Sequence, residues 1–181
     1  MMARPYVNWS QALLETGQIE ASIEASRRAI DLQPTLGQAH YNLGTAYMHQ
    51  GAYDLAEAHL ERAVQLDVGL FAAHNNLGNL HQERGDADEA LVHYGRALSH
   101  QKAPSLFHNV GNAHLEAGRR DSAQHYFRRA LGLDPHMLEA YKGLVKALRG
   151  QERLGEAIEV LDEALRLWKG DETLSLMLAE C

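Results

Sequence analysis

Small and apolar side chains return along this chain with a period of about 34 residues. The pair Leu43-Gly44 recurs as a leucine and a glycine at 77–78, and as a valine and a glycine at 110–111. Each of these glycines is followed by a glycine seven positions later and by alanines twelve and nineteen positions later. A repeat of this length, marked by small residues, predicts a solenoid of stacked helix pairs.

The period divides the chain into five repeats and a remainder, all within one predicted domain over 1–181. The repeats are 3–36, 37–70, 71–104, 104–137 and 138–171, and the remainder, 172–181, begins a further helix. Within each repeat we expect helix A at about positions 2–14 and helix B at about positions 18–31. The turn between them falls at position 15, which is occupied by Gly17, Gly51, Gly85, Gly118 and Glu152. Glycine at this point permits the left-handed conformation that ends a helix.

The faces of the helices follow from the rotation of about 100° per residue. Positions 4, 7, 8 and 11 share one side of helix A. Glycine or alanine at positions 8, 20 and 27 lets helix backbones approach closely, and larger residues at 7 and 24 fill the remaining space. Each helix pair buries its apolar side only against its neighbours, as in other solenoids. The fold class is therefore predicted as all-α.

These positions resemble the pattern of the tetratricopeptide repeat family. The second repeat carries the pattern as Leu43, Gly44, Tyr47, Ala56, Leu60 and Ala63, and the fourth as Phe107, Val110, Gly111, Ala123, Phe127, Ala130 and Pro135. The resemblance covers essentially the whole chain. It implies a right-handed α-solenoid of about five helix-turn-helix repeats plus a C-terminal helix. It also implies that the side of helix A away from the core lines a concave groove.

Amide side chains recur on that side of helix A. Position 6 carries Asn8, Asn42, Asn76 and Asn109, which we call the asparagine ladder, and position 9 adds Asn79 and Asn112. Asparagine is a poor residue for the middle of a helix. Its carboxamide can both donate and accept hydrogen bonds, as a peptide group does. A column of such groups could hold an extended peptide main chain, although copying of one ancestral repeat would leave the same row.

The ladder is similar to the asparagine row in the repeats attached to protein O-linked N-acetylglucosamine transferases. The segment 75–79, Asn-Asn-Leu-Gly-Asn, carries this second resemblance. It implies an extended peptide held by the four ladder asparagines.

The fifth repeat adds a basic stripe to the same helix. Lys142, Lys146 and Arg149 are spaced at i, i+4 and i+7, so they lie on or beside the predicted groove. They could anchor a carboxylate or an acidic segment of a ligand. The alternative is a solvated face with Glu139 and Glu152 nearby.

Composition narrows the classes of function. The formal charge of −7 argues against nucleic acid as a partner, and no run of 18 apolar residues predicts a membrane span. The eleven histidines include no pair spaced three or four apart, so we expect no metal site, and no motif predicts a cofactor or catalysis. We expect His40, His74, His81 and His114 to be half-buried packing residues. The single cysteine, Cys181, fits a reducing compartment such as the cytoplasm.

The sequence thus favours a non-enzymatic module that binds an extended peptide of a partner protein, and an acidic segment of that partner is a candidate ligand for the basic stripe. One alternative is the substrate-recognition arm of a larger, glycosyltransferase-like enzyme whose catalytic domain is absent. Another is a scaffold that only self-assembles. The apolar residues of 172–181 could also pair two copies in a homodimer.

Overall fold

A computed structural model describes residues 2–67 and 69–181, and in these residues the chain forms helices and no strands. The A helices are α1 (Arg4–Glu15), α3 (Gly37–Gln50), α5 (Phe71–Glu83), α7 (Pro104–Glu116) and α9 (Leu138–Gly150). The B helices are α2 (Ile19–Leu32), α4 (Tyr53–Leu66), α6 (Ala87–Leu98), α8 (Arg120–Leu133) and α10 (Leu154–Leu167), and the last helix is α11 (Glu172–Ala179). The all-helical fold class is confirmed: this is an α-solenoid of helix-turn-helix repeats with a C-terminal helix.

The helices cluster in two compact units. The first unit comprises the described residues of 1–84 together with 95–100, and the second comprises residues 85–94 and 101–181. In the first unit each helix from α1 to α5 packs on the next, and α1 also packs on α3 and α3 on α5. In the second unit the same arrangement joins α7 to α11, with α7 against α9. Successive A helices are therefore neighbours within each unit.

Small residues lie where the helices come closest together. Ala56, Ala63, Ala123 and Ala130 are completely buried. At Gly111 a Cβ atom would lie 2.6 Å from the Phe127 ring, so only glycine allows this approach of α7 to α8. The close packing predicted for position 8 of the repeat has this steric basis.

The residue at position 15, in the turn between helices A and B, has a left-handed backbone conformation in all five repeats. The four glycines at position 15 have φ values between 72° and 83°. Glu152, which replaces glycine in the fifth repeat, adopts the same conformation with φ 61°. The repeat geometry therefore imposes a backbone conformation that costs a non-glycine residue about 1–2 kcal/mol.

The four histidines at positions 4 and 11 contribute to packing. His40 and His74 are buried, whereas His81 and His114 are half-buried. His114 stacks on Tyr126 with ring centroids 5.2 Å apart. Two of these histidines are thus more deeply buried than the sequence predicted.

Candidate functional site

The ladder residue Asn42 lies inside the packing of the first unit. It is 0% exposed, and its amide nitrogen donates to the Val7 carbonyl oxygen at 3.0 Å and to the Ser10 hydroxyl at 2.6 Å. Its side-chain oxygen accepts from the Gln38 amide at 3.0 Å. Asn42 therefore ties α3 to α1 and has no surface for a ligand in this structure.

This position differs from the groove-lining place that the sequence predicted for Asn42. The angular count puts position 6 opposite the apolar stripe, but it does not show that the preceding A helix approaches on that flank. In the first unit α1 does so, and Ser10, also buried, offers a hydroxyl at the contact. A buried amide is stable there because its hydrogen-bonding groups find partners.

The other amides of the first unit are more accessible. Asn8 is exposed on α1, and Asn76 and Asn79 are half-buried on α5. The Asn76 amide donates to the Thr45 hydroxyl at 3.0 Å, so it also links two successive A helices. Asn76 thus combines an interhelical bond with partial access to solvent.

In the second unit the predicted amides surround a histidine. Asn109 and Asn112 are half-buried on α7, and the Asn112 amide nitrogen lies 3.4 Å from His108 Nε2. Burial lowers the pKa of His108, an effect that the hydrogen bond with Asn109 and the charge of Glu139 oppose. His108 is therefore held mainly in its neutral form near pH 7.

The basic residues of α9 have different surroundings. Arg149 pairs with Glu180 at 2.9 Å, so this guanidinium contacts the end of the chain just after α11. Lys142 is half-buried and Lys146 is exposed. Within the described part of the chain, neither lysine ammonium lies within 4.0 Å of a carboxylate oxygen. The two lysines therefore remain available to a ligand.

An open cleft of about 320 Å³ brings several of these side chains together in the second unit. We call it the lysine cleft; its lining residues are His108, Asn112, Glu139, Lys142, Gly143, Lys146 and Met177. These residues come from α7, α9 and α11. The cleft unites three residues that the sequence proposed for binding, Asn112, Lys142 and Lys146.

Three residues of the lysine cleft were missed by sequence reasoning: His108, Gly143 and Met177. The sequence could have indicated Gly143, because this glycine occupies position 6, where the four preceding repeats carry asparagine. A Cβ atom at Gly143 would lie 2.5 Å from the ring of Phe127, which is completely buried. The bulk of Phe127 therefore favours glycine at this position.

Comparison with protein families agrees with the repeat pattern. Models described as tetratricopeptide repeat match residues 35–103, 69–136 and 110–172, and one described as TPR repeat matches residues 11–51. The chain belongs to the tetratricopeptide repeat family. No curated protein matches the sequence.

Several solved structures share the fold of this chain. The PilF protein of Pseudomonas aeruginosa is 20% identical with a TM-score of 0.85, over 98% of this chain and 83% of that chain. YrrB, described as a TPR protein with an unusual peptide-binding site, is 22% identical with a TM-score of 0.84, over 99% of this chain and 92% of that chain. MamA from Desulfovibrio magneticus RS-1 is 18% identical with a TM-score of 0.85, over 94% of this chain and 97% of that chain. At these identities the likeness shows the fold alone.

Two other kinds of site are absent from residues 2–67 and 69–181. No group of three or more histidine, cysteine, aspartate or glutamate residues within 2–67 and 69–181 could hold a metal ion. None of the described helices combines the length and the apolar composition needed to cross a bilayer.

Proposed function

We propose that this tetratricopeptide repeat chain is a protein-interaction module that holds an extended peptide of a partner on the A-helix side of its units. The observation that carries the proposal is the lysine cleft, where two lysines without a carboxylate partner and the Asn112 amide line one opening. An amide can bond a peptide main chain, and the ammonium groups attract an acidic segment of the ligand. The module has no catalytic role of its own in this proposal.

The asparagine ladder enters the proposal in a reduced form. Asn42 is excluded because its hydrogen bonds are made within the first unit. Asn8, Asn76, Asn79, Asn109 and Asn112 all keep some exposed surface. The resemblance of segment 75–79 to the repeats of O-linked N-acetylglucosamine transferases stays a prediction.

The three residues of the basic stripe have two different roles. Two of them bind the ligand, and the third positions a wall of the lysine cleft. Lys142 and Lys146 attract the acidic segment, whereas Arg149 holds the end of α11 through Glu180. This contact matters because Glu180 directly follows α11, whose Met177 lines the lysine cleft. Arg149 would therefore act on a ligand through the position of this wall.

The test selects ligands first and then maps them. Linear peptides are selected by display against the immobilised full chain, and their affinity is measured by fluorescence anisotropy. We expect the variant that combines Lys142→Gln with Lys146→Gln to bind the selected peptides at least about tenfold more weakly, since even one lost hydrogen bond to a charged group contributes about 1.5–3 kcal/mol and about 1.4 kcal/mol is a factor of ten. The matched control is Lys169→Gln, which removes an exposed lysine outside the cleft. Equal binding by the double variant, or no peptide selected at all, would contradict the proposal.

A further inference from the structure

The lysine cleft lies where the second unit lacks an asparagine bridge that the first unit has. In the first unit Asn42, at position 6 of its repeat, reaches back to α1 and bonds the carbonyl of Val7 and the hydroxyl of Ser10, at positions 5 and 8. The corresponding pair of helices in the second unit is α7 and α9. There position 6 is Gly143, and position 5 of α7 is His108. Both residues line the cleft.

The packing beneath these residues explains the difference. Position 24 of the first repeat is Ser26, a small buried residue, whereas position 24 of the fourth repeat is Phe127. The Phe127 ring approaches Gly143 so closely that a Cβ there would overlap it. The ring therefore takes the place of a bridging side chain, and the lysine cleft is the opening that remains next to Gly143.

The charges around the opening select the chemistry of an occupant. Lys142 and Lys146 lie one turn apart on α9, and Glu139 is the carboxylate in the lining. With His108 neutral, two ammonium groups and one carboxylate leave one net positive charge. This balance suits a monoanion better than a dianion such as a phosphate group.

The shape and the apolar part of the lining favour a carboxylate with an aliphatic stem. Met177 and the methylene groups of the lysines can cover such a stem, and the Asn112 amide can donate to its carboxylate. We infer that the lysine cleft receives one glutamate side chain of the bound peptide beside Gly143, where this repeat has no asparagine side chain. This inference rests on the proposed function and names the residue that the site recognises.

The experiment compares two peptides that differ in one side chain, which carries a charged carboxylate in one peptide and a neutral amide in the other. The full chain, labelled with ¹⁵N, is titrated with Ac-Gly-Ser-Ala-Glu-Leu-Ser-Gly-NH₂ and with the same peptide carrying Gln in place of Glu, and backbone amide shifts are recorded. We expect the Glu peptide to shift the amides of Asn112 and Gly143 and to bind roughly tenfold more tightly than the Gln peptide. A third peptide with Asp should bind a few-fold more weakly than Glu, because it buries one methylene group less.

Variants separate this inference from the proposed function. Combining Lys142→Gln with Lys146→Gln should abolish the preference for Glu over Gln, whereas Lys169→Gln should keep it. If both peptides bind the A helices equally well, or shift amides away from Gly143, the inference is overturned and the proposed function stands. If neither peptide shifts the amides of Asn112 and Gly143, the inference is also overturned, whereas the proposed function is contradicted only if the display selection yields no peptide.

Discussion

Asn42 donates its side-chain amide to the hydroxyl of Ser10 across 2.6 Å, in a contact that no solvent reaches. Ser10 in turn donates to the Val7 carbonyl at 2.9 Å, and the Ser22 hydroxyl donates to the Ser10 carbonyl at 2.9 Å. The network joins the first three helices of the chain. A residue that the sequence offers for ligand binding thus belongs to the interior of the first unit.

This network predicts a change in stability. Asn42→Ala should lower the free energy of unfolding by about 1–3 kcal/mol, because it removes two donated bonds and leaves buried acceptors unsatisfied. Urea denaturation of the full chain measures the change. Asn8→Ala is the matched control, since Asn8 is exposed, and it should stay within about 0.5 kcal/mol of the parent. A smaller loss for Asn42→Ala than for Asn8→Ala would contradict the packing role.

The left-handed turn at Glu152 predicts a stabilising substitution. Glu152→Gly should raise the free energy of unfolding by about 1 kcal/mol, because glycine adopts positive φ without the steric cost. Part of this gain is offset because glycine also increases the conformational entropy of the unfolded chain. The measurement is the midpoint of thermal or urea unfolding. The converse variant Gly51→Glu should be destabilised by a similar amount, since Gly51 has φ 77°. A stabilised Gly51→Glu would refute this explanation.

A histidine pair in the first unit predicts a dependence of stability on pH. The Nδ1 atoms of His40 and His59 lie 3.0 Å apart, and His40 Nε2 lies 3.2 Å from the Pro34 carbonyl oxygen. If His40 donates from Nε2 to this carbonyl, its Nδ1 must accept the proton of His59. Burial, first of all, lowers the pKa of both rings. For His40 the hydrogen bond with the Pro34 carbonyl opposes this effect and the charge of Arg62 adds to it, and for His59 the charges of His40 and Arg27 lower the pKa further.

The direction in which the free energy of unfolding changes with pH follows from these lowered pKa values. Below the ordinary value of 6.5 the unfolded chain binds more protons than the folded chain, so the free energy of unfolding should fall as the pH decreases from 6.5 through the folded-state values. Above 6.5 this contribution is fully present. Urea denaturation at about pH 7.5 and about pH 5.5 measures the loss, which amounts to at most about 1.4 kcal/mol per proton and pH unit.

A matched pair of variants assigns this loss. His59→Asn should show a smaller fall in stability between the two pH values than the parent. His49→Asn, which changes an exposed histidine of α3, should show the same fall as the parent. An unchanged fall in His59→Asn would exclude the pair as its source.

The last helix predicts self-association, which stays a proposal. Leu174 of α11 is buried, but Leu176 is 64% exposed, and Met177 and Leu178 are half-buried. If this helix pairs two copies, Leu176→Ser should shift the chain towards the monomer, as measured by light scattering over a range of concentrations. Leu133→Ser is the control, since Leu133 is exposed on α8. A parent chain that stays monomeric at every concentration would rule out the dimer.

The sequence predicted the repeat and its turns well. It predicted less well which side chains of helix A contact the neighbouring helices. Small residues at fixed spacing predict the close helix contacts, and the place of Glu152 in the period predicts its turn. The burial of Asn42 was not predictable from one helix, because it depends on a neighbouring A helix and on the hydroxyl that Ser10 provides. The opening at Gly143 depends on the distant Phe127, so its meaning appears only when α8 and α9 are packed.

The central claim is that a peptide lies in the lysine cleft, and photo-cross-linking tests it most directly. A photoreactive amino acid is placed at Met177 in the cleft wall, and separately at the exposed Leu133 on α8, and each chain is irradiated with a display-selected peptide. We predict a covalent product from position 177, reduced by Lys142→Gln with Lys146→Gln, and none above background from position 133. Equal labelling at both positions, or labelling at 133 alone, would contradict the account.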